Sequence, residues 1–192
     1  MRPSVEPRLL ESAILLFSEH GYAGVNVQDL VVHAETNLTS FKRYFKDKGD
    51  AFDEALEAVI ARTPDPAELA IVLLQKQHEQ DLLSLIQTVV HRWYGSLSPG
   101  TARLLMYAYL SNSAKWKRKA HAHIFKMVTV LASAMKAKLS SKSHLDPQLA
   151  AQVLIMALWQ FKITEAQDKT MKEQTAIVDA MIGQAVRGFV GG

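Results

Sequence analysis

Apolar residues recur every three or four positions along most of the chain, and this spacing places them on one face of an α-helix. No segment alternates apolar and polar residues as a half-buried strand does. In the first third of the chain the pattern predicts helices near 9–20, 26–34, 37–45 and 48–62. Later helices are predicted near 67–76, 79–95, 99–112, 114–140, 146–167 and 173–189, with breaks at 95–99, 140–143 and 168–171. The sequence therefore predicts an all-α fold.

Two of the early helices are short and lie only a few residues apart. Asn26 is placed to cap the second helix and Asn37 to cap the third, because asparagine is a preferred N-cap residue. Asp47 and Asp50 are similarly placed at the start of the fourth helix. Three apolar residues of the third helix are predicted to face inward: Leu38, Phe41 and Phe45. Two short helices joined by such a turn form a helix-turn-helix.

The best break between domains follows the fourth helix. The run Thr63-Pro64-Asp65-Pro66 disfavours helical backbone angles and removes amide donors. We predict an N-terminal helix-turn-helix domain over 1–47 and a helical C-terminal domain over 48–192, with the helix at 48–62 linking them.

Composition excludes several kinds of function. The chain has no cysteine, which removes disulfides, thiol nucleophiles and thiolate metal sites. No apolar run approaches the roughly 18 residues of a membrane-spanning helix, and the N-terminus lacks a signal-peptide apolar region. We therefore expect a cytoplasmic protein with no membrane partner and no cofactor. His121 and His123 are two positions apart, so they diverge on a helix and do not predict a metal site.

Charge is distributed unevenly along the chain. Residues 1–60 carry six Lys/Arg against ten Asp/Glu, and the remaining residues carry 16 against nine. Bulk charge therefore does not identify the N-terminal region as a DNA reader. Lys42, Arg43, Lys46 and Lys48 nevertheless lie within seven residues, and phosphate contact depends on such local placement.

The first 60 residues resemble the N-terminal domain of TetR-family regulators. The matching elements are Phe17 to Tyr22, the helix-turn-helix from Asn26 to Tyr44, and Tyr44-Phe45-Lys46-Asp47-Lys48. The resemblance implies a transcriptional regulator, expected to be a repressor that binds a palindromic double-stranded operator and is released by a small-molecule ligand. The chain departs from the family pattern at four positions, where glycine, alanine, glycine and tyrosine are usual: Glu35, Val31, Thr39 and Lys42.

The resemblance also implies which residues meet DNA. The third helix enters the major groove, so base edges are expected to meet Thr39, Ser40 and Lys42. Tyr44 and Lys48 are expected to meet phosphates, whereas Asn37 has equal claims as a DNA contact and as a helix cap. Arg2 and Arg8 are candidates for an N-terminal arm on the DNA backbone. The complete predicted set is Asn26, Asn37, Thr39, Ser40, Lys42, Arg43, Tyr44 and Lys48.

The C-terminal region is rich in large, adaptable side chains. In a TetR-like domain some of them would line a mostly apolar ligand cavity, while plain core packing is the alternative for each. The predicted cavity walls are Trp93, Met106, Tyr107, Tyr109, Phe125 and Trp159. The helices near 146–167 and 173–189 are too apolar for a single buried face, so they predict a four-helix homodimer interface.

Two other functional classes were weighed against the regulator. An enzyme is not expected, because the chain lacks a phosphate-cradling glycine loop, a serine-centred nucleophile elbow and histidines at metal spacing. The alternative is a helical ligand-binding or protein-interaction module that no longer reads DNA specifically. The basic run from Lys115 to Lys126 predicts a solvated helix face, with attraction of an anionic ligand or of DNA as the alternative.

Overall fold

The computed structural model describes residues 5–66, 68–71, 81–138, 146–164 and 166–190, with the backbone alone at 137, 138 and 188–190. Every regular element in these ranges is helical, which confirms the predicted all-α class. The elements are α1 (Val5–His20), α2 (Val27–His33), α3 (Leu38–Tyr44), α4 (Lys48–Arg62), α5 (Leu82–Ser96), α6 (Pro99–Leu110), α7 (Ala114–Lys138), α8 (Pro147–Thr164), a 3-10 turn at Ala166–Asp168, and α9 (Met171–Val190).

Most predicted boundaries lie within a few residues of the observed ones. The first helix begins earlier than predicted, at Val5. Of the helix predicted near 67–76, residues 68–71 are helical, whereas position 67 and positions 72–76 lie outside the described residues. The loop predicted at 140–143 also lies outside them. No helix in the described ranges is long and apolar enough to cross a membrane.

The described residues fall into two compact units. Unit 1 comprises Met1–Arg62 and Gly100–His121, and unit 2 comprises Thr63–Pro99 and Ala122–Gly192. This division groups α4 and most of α6 with the helix-turn-helix, whereas the predicted boundary at residue 47 separated them from it. The proline-containing segment does mark one of the unit boundaries, because Thr63 is where the chain enters unit 2.

Unit 1 is centred on aromatic side chains that α1, α4 and α7 bring together. Phe17 and Phe52 are fully buried and meet edge to face, with ring centroids 5.1 Å apart. Trp116 adds a third helix, because its ring lies 4.4 Å from Phe52 and 4.7 Å from Tyr22, centroid to centroid. This cluster fixes the C-terminal end of α1 beside the helix-turn-helix.

An ion network ties α4 to the basic start of α7. The buried carboxylate of Asp53 accepts hydrogen bonds from Lys115 and, at 2.7 Å, from Lys119, and Lys119 also pairs with Glu57. Burial raises the pKa of Asp53, but the two lysines outweigh it and hold that pKa below 3.8. Part of the basic run is therefore used inside unit 1, which the sequence analysis did not foresee.

Unit 2 contains α5, α8, α9 and the part of α7 from Ala122 onward, and α9 packs against α5 and α8. Trp93 and Trp159 are buried, with ring centroids 5.7 Å apart. Asp179 of α9 accepts hydrogen bonds from Gln87 at 2.9 Å and, at 2.7 Å, from His91, both of which lie on α5. The unit therefore has an aromatic core, and hydrogen bonds between partly exposed side chains connect α5 to α9.

Candidate nucleic-acid interface

The second helix begins with a reciprocal cap. Asn26 Oδ1 accepts from the Asp29 amide at 2.9 Å, and Asp29 Oδ2 accepts from the Asn26 amide at 2.7 Å. This capping box satisfies two amides that the helix itself leaves unbonded. The predicted cap at Asn26 is confirmed, and the side-chain oxygen of this residue is therefore engaged within the chain.

The turn between α2 and α3 is closed by two backbone hydrogen bonds. The Thr36 amide donates to Val31 O at 2.8 Å, and the Glu35 amide donates to Val32 O at 3.0 Å. This pattern is the Schellman motif, which requires a left-handed residue after the helix. Glu35 supplies it with φ +48°. Because left-handed angles strain residues with a Cβ, the turn explains why glycine is favoured at this position.

Arg8 fastens the same turn. Its Nη1 donates to Ala34 O at 2.9 Å and to Glu35 O at 3.3 Å. The carbonyls at the end of α2 thus receive a cationic donor from α1, which favours a helix C-terminus. The Arg8 guanidinium therefore has partners within the chain, and its DNA contact stays a prediction. Arg2 lies outside the described residues.

The third helix presents one buried and one exposed side. Phe41 and Phe45 are buried, with ring centroids 5.4 Å apart. Leu38 was predicted to face inward, but it is 46% exposed. It occupies the first position of a seven-residue helix, where the neighbouring helices do not cover it. The exposed side chains of α3 include Thr39, Lys42 and Arg43, while Ser40 and Tyr44 are partly exposed.

Asn37 caps this helix. Its Oδ1 accepts from the Ser40 amide at 2.9 Å. The cap role weighed for Asn37 is thus present in the structure, and DNA contact by the same residue stays a prediction.

The start of α4 is held by two acids. Asp47 Oδ1 accepts from the Asp50 amide at 2.9 Å, and Asp50 Oδ2 accepts from the Lys46 amide, also at 2.9 Å. The predicted cap is confirmed. These bonds fix the short segment that connects α3 to α4.

Lys48 is partly buried between the start of α4 and the loop after α1. Its Nζ donates to Tyr22 O at 3.0 Å and to Val25 O at 2.9 Å, and it lies 4.2 Å from the centre of the Tyr22 ring. The ammonium therefore braces the helix-turn-helix from within the chain. Sequence reasoning gave Lys48 a phosphate contact and missed this bracing, which depends on residues more than 20 positions away.

The predicted ligand residues divide between the two units. Trp93 and Trp159 form the ring pair of unit 2, and Phe125 is also in unit 2 and partly buried. In unit 1, the Tyr107 ring lies against Gly21 and the Tyr109 ring stacks on His121 with centroids 6.1 Å apart. Met106 is partly buried in the same unit. The structure thus brings the two tryptophan rings into contact, and the six residues do not all belong to one unit.

Comparison with known proteins shows what the N-terminal helices resemble. Residues 9–55, from α1 into α4, match the family model described as bacterial regulatory proteins of the tetR family. The "Probable HTH-type transcriptional regulator YttP" of Bacillus subtilis (strain 168) is 28% identical over 87 residues. The helix-turn-helix segment of this chain is therefore similar to that of tetR-family regulatory proteins. The aligned part is 45% of this chain and 42% of YttP, so the chain matches less than half of that relative's length.

Solved structures of transcriptional regulators have a fold similar to that of this chain. FadR from Bacillus subtilis in complex with stearoyl-CoA superposes with a TM-score of 0.64 at 16% identity, covering 95% of this chain and 98% of FadR. NalD, the secondary repressor of the MexAB-OprM multidrug efflux pump in Pseudomonas aeruginosa, gives 0.65 at 18% identity, covering 96% of both chains. At these identities the likeness shows a shared fold alone.

Proposed function

We propose that this chain is a TetR-family, sequence-specific transcriptional regulator that represses by binding a palindromic operator and is released by a small-molecule ligand. The observation that carries the proposal is the helix-turn-helix of residues 26–44, capped at both helices and closed by a Schellman turn. It lies within the segment that matches the family model.

The exposed side of α3 is the proposed reading surface. Thr39, Ser40 and Lys42 meet base edges in the major groove, where a lysine ammonium can donate to guanine O6 and N7. Lys42 is exposed and lies one turn beyond the capped start of the helix. We place Asn37 at the edge of this surface, with its oxygen committed to the cap.

Phosphate contacts are assigned to Arg43, Tyr44 and Lys48, with Asn26 beside them at the start of α2. Lys48 differs from the others because it is already held by two carbonyl groups. Its removal is therefore expected to loosen the helix-turn-helix as well as to weaken phosphate binding. The net negative charge of residues 1–60 makes binding depend on this local group of cations.

The chain is proposed to act as a homodimer through α8 and α9. Leu149 and Val153 lie one turn apart on α8 and are 55% and 61% exposed, while Ala176 and Ala180 are exposed one turn apart on α9. Small residues on one helix and apolar residues on the other suit close two-fold packing. Two recognition helices would then read half-sites about 34–36 Å apart, or a multiple of that spacing.

The ligand is proposed to bind among the large side chains predicted from the sequence. Trp93 and Trp159 are the best supported because their rings are buried and in contact. Phe125, Met106, Tyr107 and Tyr109 remain candidates. Release by a ligand must be reciprocal. If the ligand lowers the affinity for operator DNA by some factor, operator DNA must lower the affinity for the ligand by the same factor.

The test is selection of duplex DNA from a random pool by the purified protein, repeated with Lys42→Ala. We expect a palindrome from the wild type and an altered base preference within each half-site from Lys42→Ala. Lys117→Ala, which removes an exposed lysine outside the helix-turn-helix, is the matched control and should select the wild-type sequence. Selection of no motif at low salt would contradict the proposal and favour the binding-module alternative.

A further inference from the structure

In unit 2 a lysine and a tyrosine, both largely buried, lie side by side. Lys162 of α8 is 8% exposed, and Tyr94 of α5 is 5% exposed. The lysine Nζ lies 4.2 Å from the centre of the tyrosine ring. The Tyr94 hydroxyl has no hydrogen-bond partner among the described residues. The two groups therefore leave a buried cation and a buried donor beside each other.

No acidic side chain in the described ranges neutralises Lys162. The helices α5 and α8 contain no Asp or Glu at all. On α9, Asp179 is taken by Gln87 and His91, and Glu173 accepts from Thr170 at the helix start. The attraction of the Tyr94 ring is the one stabilising contact that the described structure gives this ammonium.

A buried charge without a counterion is unfavourable, and so is a buried hydroxyl without a partner. Burial lowers the pKa of Lys162 below its ordinary value of 10.5 and raises the pKa of Tyr94 to about 12, as expected for groups that lack compensating contacts. One anionic oxygen group would neutralise the ammonium and satisfy the hydroxyl, since it accepts hydrogen bonds from both.

An aromatic ring packs on the pair, and two tryptophans lie nearby in sequence. Phe161 stacks on the Tyr94 ring at 6.3 Å between centroids and 12° between planes. Trp93 precedes Tyr94 in sequence, and Trp159 lies three residues before Lys162 on the same helix. Apolar walls with a few convergent polar groups are typical of small-molecule sites.

We propose that Lys162 and Tyr94 anchor the anionic group of an amphipathic ligand, a molecule with one carboxylate or comparable anion attached to an apolar body. The anionic group pairs with Lys162 Nζ and accepts from Tyr94 Oη, and the apolar body lies along the neighbouring aromatic rings. This inference rests on the ligand-binding part of the proposed function and specifies the chemical class of the ligand.

The experiment is a pair of fluorescence titrations of the full chain in the absence of DNA. The anionic probe is 1-anilinonaphthalene-8-sulfonate, and the neutral probe is N-phenyl-1-naphthylamine, which has the same aromatic body. Lys162→Met is expected to weaken binding of the anionic probe roughly 10- to 100-fold, as loss of a hydrogen-bonded charge does, and to leave the neutral probe unchanged. Tyr94→Phe should weaken the anionic probe less.

Two further variants keep the result interpretable. Lys162→Arg retains the charge and should retain binding of the anionic probe. Lys172→Met removes an exposed lysine of α9 and should bind both probes as the wild type does. Far-ultraviolet circular dichroism of each variant checks that its helices are intact.

Three outcomes would overturn the proposal: no binding of the anionic probe to the wild type, equal binding to Lys162→Met, or equal weakening of both probes by that variant. DNA selection is measured separately on the same proteins. A wild type that selects an operator but ignores the anionic probe would refute this site and leave the regulator intact. A wild type that binds the probe through Lys162 but selects no DNA would support this site and refute the proposed regulator.

Discussion

Replacement of Glu35 by glycine should stabilise the protein. Glu35 adopts φ +48° at the Schellman turn. The left-handed conformation costs an L-residue about 1–2 kcal/mol, and glycine avoids this cost. Glycine also makes the unfolded chain more flexible, which lowers the stability of the folded state by about 0.5–1 kcal/mol. The difference is a net stabilisation of about 0.5–1 kcal/mol, which corresponds to a rise in melting temperature of about 1–4 °C for a chain of this size.

The matched control for this prediction is Glu35→Ala. Both variants lose the carboxylate and every contact of the glutamate side chain, but alanine keeps the Cβ that causes the strain. Thermal unfolding followed by circular dichroism should therefore give a higher melting temperature for Glu35→Gly than for Glu35→Ala and for the wild type. Equal melting temperatures for the two variants would refute the strain argument. Operator affinity should rise in both, because each removes a negative charge near the phosphates.

The other predictions concern the ion network, a buried histidine and the subunit interface. Asp53→Asn should lower the free energy of unfolding by about 1–3 kcal/mol at pH 7, measured by urea denaturation, and the loss should vanish in acid as the wild-type carboxylate protonates. Burial and the charge of Lys126 lower the pKa of His123 below 6.5. Wild-type stability should therefore fall as pH drops from 6.5 toward that lowered pKa, and His123→Gln should lack this part of the pH dependence. Leu149→Glu combined with Val153→Glu should convert a dimer to a monomer in sedimentation velocity; an unchanged dimer would contradict the assigned interface.

Local signals in the sequence accounted well for the helix-turn-helix. The caps at Asn26 and Asn37 were predictable because each needs only a side chain and an amide three residues away. Glu35 stood out as a departure from the glycine usual in the TetR pattern, and its positive φ explains why glycine is favoured there. Leu38 was misplaced because periodicity says which residues share a face, but not where a short helix loses its neighbours.

Contacts between distant residues were beyond the sequence analysis. Lys48 was interpreted as a surface cation, and its two carbonyl partners follow only from the path of the chain after α1. The sequence pattern placed Lys115 and Lys119 on a solvated helix face. Both donate hydrogen bonds to Asp53, which lies more than 60 positions away in the sequence. The unpaired state of Lys162 likewise depends on which helices pack around it.

The most direct test of the regulator is its specificity ratio, measured by fluorescence anisotropy at about 150 mM salt. The affinity for the selected palindrome is compared with that for a shuffled duplex of equal length and composition. The account predicts binding to the palindrome at least about a thousandfold tighter, in the range of specific DNA-binding proteins. Equal affinity for the two duplexes would contradict sequence-specific regulation by this chain.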